Sequence, residues 1–251
     1  MLPDSNMRRF SSAYYPMTDF HFTQIGVIHS PYKEKFAVPR QPGLIKDGGG
    51  KLVLLPPYNQ PDAIRGLEQF SHLWVIFIFH QTMEGGWKPM VRPPRLGGNA
   101  KMGVLATRST FRPNPIGMSL IELKGIKCTK GNVTLELGSM DLVDGTPVID
   151  IKPYLPFAEC QPHAIAGFAQ EAPPADMDVI FSPAAEQQLI LIQSTYPNLR
   201  RFISQVLAQD PRPAYRREES KNREYAVHLL NFNVRWKVCG TLTEVVSIES
   251  R

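Results

Sequence analysis

At 251 residues, with 43% apolar and 20% charged side chains, the chain is long enough to bury a substantial core and needs no disulfide staples. Its cysteines, Cys128, Cys160 and Cys239, are odd in number, far apart and without a C-x-x-C pair, which argues against a disulfide framework or a cysteine zinc site and fits a reducing cytoplasm. The net charge of +5 permits an anionic partner without demanding one, and no apolar run approaches the roughly 18 to 20 residues of a membrane span.

The first twenty residues carry Arg8 and Arg9 with no apolar stretch behind them, so residues 1–20 read as a flexible polar tail and not as a signal peptide. Phe22–His29 is predicted as a first strand. Ser30–Gly43, SPYKEKFAVPRQPG, has three prolines and a closing glycine, the composition of an extended, turn-rich loop that presents Lys33, Lys35, Arg40 and Gln41. The run Asp47–Gly50, DGGG, separates LIK from KLVLL and predicts a hairpin turn; without G-x-G-x-x-G or G-K-[ST] it is no phosphate cradle. Tyr58–Phe70 predicts a short helix, and HLWVIFIF a buried strand ending at His80 and Gln81. Polar side chains at a strand end suit a ligand contact or a satisfied rim position equally.

From Gly85 to Leu120 the chain carries Lys88, Arg92, Arg95, Lys101, Arg108 and Arg112 without one Asp or Glu, which predicts a positive surface, a solvated loop face being the alternative. Inside it, Ala106–Ser119, ATRSTFRPNPIGMS, reads as a rigid charged loop between predicted strands Lys101–Thr107 and Gly117–Leu123. Asn132–Leu137 alternates, Asp141–Pro147 (DLVDGTP) is an acidic turn, and Pro147–Ile151 is another strand. Short strands with little helix, and no βαβ rhythm, predict a mainly β fold: an antiparallel β-barrel over residues 21–165.

Cys160–Asp178 reads as a linker. Pro183–Thr195 and Leu199–Gln209 have helical spacing with Ser182 as cap, and Tyr225–Leu230, Asn233–Val238 and Thr243–Ile248 read as strands, giving a small α+β domain over residues 166–251. Between them, Asp210–Arg217 (DPRPAYRR) fixes its backbone with prolines while Arg212, Tyr215, Arg216 and Arg217 project, a composition suited to phosphate contacts and base stacking as well as to an ordinary helix exit. Neither a Ser/His/Asp order nor an H-E-x-x-H or Walker motif is present, which leaves hydrolytic chemistry without support.

Taken in order, HSPYKEKFAVPRQPG, FHQTMEGGW, VRPPRLGGN, ATRSTFRPNPIGMS, DLVDGTPVIDIKPYLPF and DPRPAYR closely resemble the bacterial TrmO (YaeB, TsaA-like) family, from about Gln24 to the C-terminus. The resemblance implies an S-adenosylmethionine-dependent tRNA methyltransferase acting on N6 of the threonylcarbamoylated adenosine 3′ of the anticodon in threonine tRNA. It also implies a barrel in place of a Rossmann sheet and a homodimer with the cofactor near its interface, without metal. Carried onto this chain, Gln41, Pro42 and Gly43 would line the adenine slot, with His80 and Gln81 adding polar contacts. Arg108 would pair with the cofactor carboxylate, and Met118 would pack on the adenine. The turn Asp141, Leu142, Val143, Asp144 would hold ribose hydroxyls or the ammonium. Asp141, Asp144 and Asp150 are candidate acceptors for the N6 proton, with Asn114 orienting the base, and Arg92, Arg95, Arg112, Arg212, Tyr215 and Arg216 would grip RNA. A competing reading is a non-catalytic barrel that senses or scaffolds an adenosyl ligand or RNA.

Overall fold

The computed structural model describes residues 18–129, 131–213 and 223–250. Alternating apolar residues become strands whose inward side chains fill a closed barrel. Its strands are β1 (Gly26–His29), β2 (Gly50–Leu54), β3 (His72–Ile78), β6 (Ile116–Thr129), β7 (Asn132–Leu137) and β8 (Pro147–Pro153); between β3 and β6 lie the two-residue strands β4 (Met90–Val91) and β5 (Met102–Gly103), which pair with each other. The barrel order is β1-β2-β7-β6-β3-β8, closing back on β1, with every pair antiparallel. Ile28, Leu52, Leu73, Val75, Phe77, Ile121, Leu135 and Val148 face the interior and are buried. Gly117 stands opposite Phe77, and a Cβ there would lie 2.4 Å from the Phe77 ring, so glycine lets the ring fill the barrel.

The outer face carries an apolar patch on β6 and β3, bordered by charged side chains of β8. Register places Met118, Ile76 and Asp150 in one row and Leu120, Trp74 and Lys152 in the next, with Met118 52% exposed.

Several predicted elements differ from those observed. The hairpin at Asp47–Gly50 is absent: residues 44–46 form no strand, and Gly50 opens β2, which pairs with the sequence-distant β1 and β7. The glycines there serve close backbone approach, since a Cβ at Gly50 would lie 2.3 Å from the His29 carbonyl and one at Gly49 2.9 Å from that of Leu137. The first strand starts only at Gly26, leaving Phe20 and Phe22 exposed. Tyr58–Phe70 forms two single 3-10 turns, Pro61–Ile64 and Leu67–Gln69, interrupted by Gly66 in the left-handed region. Lys101–Thr107 contributes β5 and then a 3-10 turn, Val104–Ala106.

After the short helix α1 (Pro156–Glu159) and an irregular stretch, strand β9 (Asp178–Phe181), unforeseen from sequence, leads into α2 (Pro183–Ile192) and α3 (Leu199–Ala208). The meander β10 (Glu224–Leu229), β11 (Phe232–Cys239) and β12 (Leu242–Ser250) follows, and β9 adds in parallel to β12. Ser182 caps α2 as expected, its Oγ accepting the Ala185 N–H at 3.2 Å ahead of Pro183 at the first turn. No helix among the described residues is long and apolar enough to cross a membrane.

One buried cluster runs through both regions. The Tyr32 ring, from the loop after β1, meets Phe202 of α3 at 5.8 Å between centroids. Beside it, Asp47 accepts two hydrogen bonds from Arg201 and one from Gln205, and its own backbone N–H donates to the Gln205 side-chain Oε1 at 3.1 Å. The Tyr32 hydroxyl is buried without a hydrogen-bond partner among the described residues. Tyr32→Phe is therefore expected to stabilise the protein by about 1 kcal/mol in urea unfolding. Gly48→Ala, whose Cβ would lie 1.9 Å from that hydroxyl, should destabilise it by more than that, and by less in the Tyr32→Phe background.

Candidate cofactor and RNA site

Strand direction decides where the predicted residues meet. The C-terminal ends of β1, β3 and β7 and the N-terminal ends of β2, β6 and β8 share one end of the barrel, as the registers His29↔Lys51, Gly50↔Leu137, Ile78↔Ile116 and Val27↔Pro147 require. All three long connections, residues 30–49, 79–115 and 138–146, therefore emerge at that end. The opposite end carries residues 55–71 and the tight β6–β7 connection.

Residues 138–146 bind the other loops together. The Met140 N–H donates to the Gly48 carbonyl (3.1 Å), that of Asp144 to Tyr32 (2.8 Å), and that of Gly145 to Ile28 (2.9 Å). The Ser139 hydroxyl donates to the Ile45 carbonyl at 2.7 Å and accepts the Gly43 N–H at 3.0 Å. Gly43 has φ 83°, a backbone that glycine adopts without strain. Next to it, Gln41 accepts a hydrogen bond from the Arg108 guanidinium. The Ser119 hydroxyl donates to Asp141 at 2.5 Å. Gln41, Gly43, Arg108 and Asp141 thus form one connected cluster with Ser119 and Ser139, and Pro42 lies between the first two. Leu142 is buried under the turn and Val143 accepts the Thr146 hydroxyl on its carbonyl, so both are structural parts of that turn.

Asp141 is the electrostatically unusual member. Burial pushes its carboxyl up from 3.8 to about 6, against the opposing pull of the Ser119 hydrogen bond and the Arg108 charge. A partly buried acid that feels the charge of the Arg108 guanidinium places one acidic and one basic group in the same cluster. That arrangement matches a zwitterionic amino-acid end, and the left-handed turn at Gly43 leaves backbone exposed beside it.

Other predicted residues stand elsewhere. Both oxygens of Asp144 serve the loop after β1: Oδ1 accepts the Ser30 N–H (2.9 Å) and Oδ2 pairs with Lys33 (2.7 Å). Asp150 accepts the Ile151 N–H and pairs with Lys152 on the outer wall of the barrel. Met118 lies on that same wall, facing away from Ser119. Asp144 and Asp150 are thus each engaged in an ion pair, outside the hydrogen bonds that join Gln41 to Arg108 and Ser119 to Asp141. His80 and Gln81 open a 3-10 turn at the site end, beside Pro115, whose carbonyl accepts the Phe79 N–H. Asn114 is exposed there.

The basic residues also divide. Arg112 turns inward and donates to the carbonyls of Val104 (3.3 Å) and Thr107 (2.6 Å), so it braces the loop bearing Arg108 and does not project. Arg95 donates to the Glu171 carbonyl. Contrary to expectation Arg212 does not project either: only 7% of its side chain is exposed, it forms a two-pronged pair with Asp210, and it lies over the Tyr225 ring. Tyr215, Arg216 and Arg217 lie outside the described residues. Arg92 lines a cleft of about 630 Å³ with Lys35, Phe36, Arg40, Asn99 and the stretch Pro211–Pro213. Among the described residues no group of three His, Cys, Asp or Glu is disposed to hold a metal.

The sequence reading passed over Ser119 and Ser139. A signal for the first was available: Ser119 occupies an inward position in an otherwise apolar alternation, where a hydroxyl needs a partner.

A family model described as the tRNA-methyltransferase O N-terminal domain matches residues 27–160, and one described as the TrmO C-terminal domain matches residues 174–251. The chain belongs to the TrmO family. It is 66% identical over 235 residues to the tRNA (adenine(37)-N6)-methyltransferase of Escherichia coli (strain K12), covering 94% of this chain and 100% of that protein. A putative S-adenosylmethionine-dependent methyltransferase RcsF of Pseudomonas aeruginosa (strain PAO1) is 47% identical over 84% of this chain and 90% of its own length. A solved structure of TrmO from Pseudomonas aeruginosa superposes with a TM-score of 0.77 at 37% identity, covering 93% of this chain and 99% of that one. The TrmO barrel and its C-terminal α+β region are thus a family architecture.

Asp141 yields a pH-dependent prediction. A carboxyl raised in the folded state contributes no penalty below its unfolded value of 3.8 and destabilises as pH climbs through about 6. Asp141→Asn, which keeps the acceptor for Ser119, should stabilise the protein by up to about 3 kcal/mol at pH 8. In thermal unfolding followed across pH, that gain should disappear below about pH 4.

Proposed function

We propose that this TrmO-family chain is an S-adenosylmethionine-dependent methyltransferase acting on N6 of adenine 37 in tRNA, and that its substrate is the threonylcarbamoylated base in threonine tRNA in the cytoplasm. The observation that carries the reading is that a connected polar cluster suited to the cofactor and a cleft lined by Lys35, Arg40 and Arg92 open at the same end of one barrel, room for two substrates side by side.

S-adenosylmethionine brings an electrophilic methyl on a sulfonium. In this reading Arg108, held by Gln41, clamps the cofactor carboxylate, Asp141 takes the ammonium, and Gln41–Gly43 and the His80–Gln81 strand end border the adenosyl part. The target nitrogen is amide-like in a carbamoylated base, its lone pair delocalised, so the protein's main contribution is orientation of nitrogen, methyl and sulfur in line. Asn114 is placed to hold the base edge. The barrel region, residues 21–165, carries the cofactor, and residues 166–251 complete the RNA surface. The apolar outer wall around Met118, Ile76 and Trp74 supports a homodimer, since a half-exposed row of this kind is what a second copy would cover.

Arg108→Ala should weaken S-adenosylmethionine binding about thirtyfold in calorimetry, the loss expected for one charge-assisted pair. Unchanged affinity would remove the clamp. With methyl-labelled cofactor, transfer is expected to tRNA bearing the threonylcarbamoyl group and not to tRNA lacking it; cofactor binding without transfer to either would favour a sensor or scaffold.

A further inference from the structure

We propose that the cleft between residues 35–40, residues 92–99 and Pro211–Pro213 is the seat of one unstacked nucleotide of a single-stranded RNA loop, with Phe36 as its stacking platform and Lys35 and Arg92 on the flanking phosphates. The inference rests on the tRNA-methylating reading above and names the part of this chain that holds the nucleic acid next to the target base.

Lining chemistry selects the ligand class. Lys35, Arg40, Arg92 and Arg212 line the cleft, and among the described residues no acidic one does. The charge of Arg212 is already met by Asp210, which leaves Lys35 and Arg92 as the cations offered to phosphate. Phe36 is an aromatic ring with 53% of its surface exposed in the wall of a polar cleft, and Lys35 Nζ stands 5.2 Å from its centroid. Core packing does not explain such a ring, whereas cation and aromatic side by side are what sequence-tolerant single-strand binding uses. The far wall is Gly97 and Gly98, both in the left-handed region, followed by Asn99, whose amide can read a base edge. A volume of about 630 Å³ falls within the range of pockets that hold small ligands of nucleotide size. A volume of this size has room for one nucleotide and not for paired, stacked bases, which favours a single strand over A-form duplex.

The construction across the chain gives the cleft a second property. One wall is the loop that carries Gln41 and Gly43 of the cofactor cluster, and the other side is the segment after α3. Because Asp47, Arg201 and Gln205 lock that loop to α3, cleft and cofactor cluster share one rigid support. A nucleotide seated here lies beside the reaction centre and leaves it clear, as expected for a neighbour of the methylated base.

The test uses the full-length protein, a synthetic anticodon stem–loop RNA and a duplex RNA of equal length, with binding followed by fluorescence anisotropy across salt concentrations. Phe36→Ala should weaken stem–loop binding about tenfold without altering the salt dependence, and should leave duplex binding unchanged. Lys35→Ala and Arg92→Ala should each reduce the slope of log affinity against log salt by about 0.7, the value for one phosphate contact on a single strand. Binding of S-adenosylmethionine by all three variants should match that of the unaltered protein, which also reports that they fold. Unchanged stem–loop affinity for Phe36→Ala, equal losses on stem–loop and duplex, or free adenosine monophosphate binding as tightly as the stem–loop would each overturn the proposal. Absence of methyl transfer, with stem–loop binding still sensitive to the three substitutions, would sink the enzymatic reading and leave the nucleotide seat standing.

Discussion

The hydroxyl of Ser139 is a small group on which a large part of the site depends. Donating to Ile45 and accepting from Gly43, it fastens a long irregular connection onto the turn after β7, and the neighbouring backbone bonds of Met140, Asp144 and Gly145 extend the seam to β2, to Tyr32 and to β1. No regular element orders residues 30–49; the seam does it, and α3 secures the other side through Asp47. Ordering a loop this long costs about 1 kcal/mol or more per residue, so such a site needs many anchors outside the ligand contacts themselves.

Asp141 sits where stability and binding pull in opposite directions. Its burial beside Ser119 raises the energy of the charged form, while Arg108 offsets only part of that. An amide would be easier to bury, and the folded protein would gain from it, but an amide cannot meet a cationic group with equal strength. An acid at this position is what the proposed contact with the cofactor ammonium would require. Asp144, three residues on in the same turn, shows the contrast: with Ser30 and Lys33 against its carboxylate, it is an anchor.

Barrel class, most strands and the two helices were legible because they rest on local periodicity, as in β3 and α3, where apolar spacing alone fixes the buried face. What the sequence concealed depends on distant partners. The DGGG run looks like a turn until Gly49 and Gly50 are seen to lie against the backbones of Leu137 and His29. Strand β9 is four residues long and exists through parallel pairing with β12, so nothing nearby announces it. At the site, Gln41, Arg108 and Asp141, named from motif position, do lie together, whereas Arg112 and Arg212 do not project as expected, because charge alone does not tell a guanidinium reaching for solvent from one bracing its own loop.

Closure of the barrel has a consequence for how this protein comes into being. Strand β1 pairs with β8, more than a hundred residues later, and the Gly145 N–H reaches back to Ile28. Since the loops of the site hang from both sides of that junction, a chain emerging from the ribosome holds scattered pieces of a binding site until Pro147 has been synthesised and has found Val27. Cofactor affinity should accordingly appear late and all at once, and the cofactor, once present, would act as a latch on the closed ring, stabilising the strand pairing of highest sequence separation within the barrel.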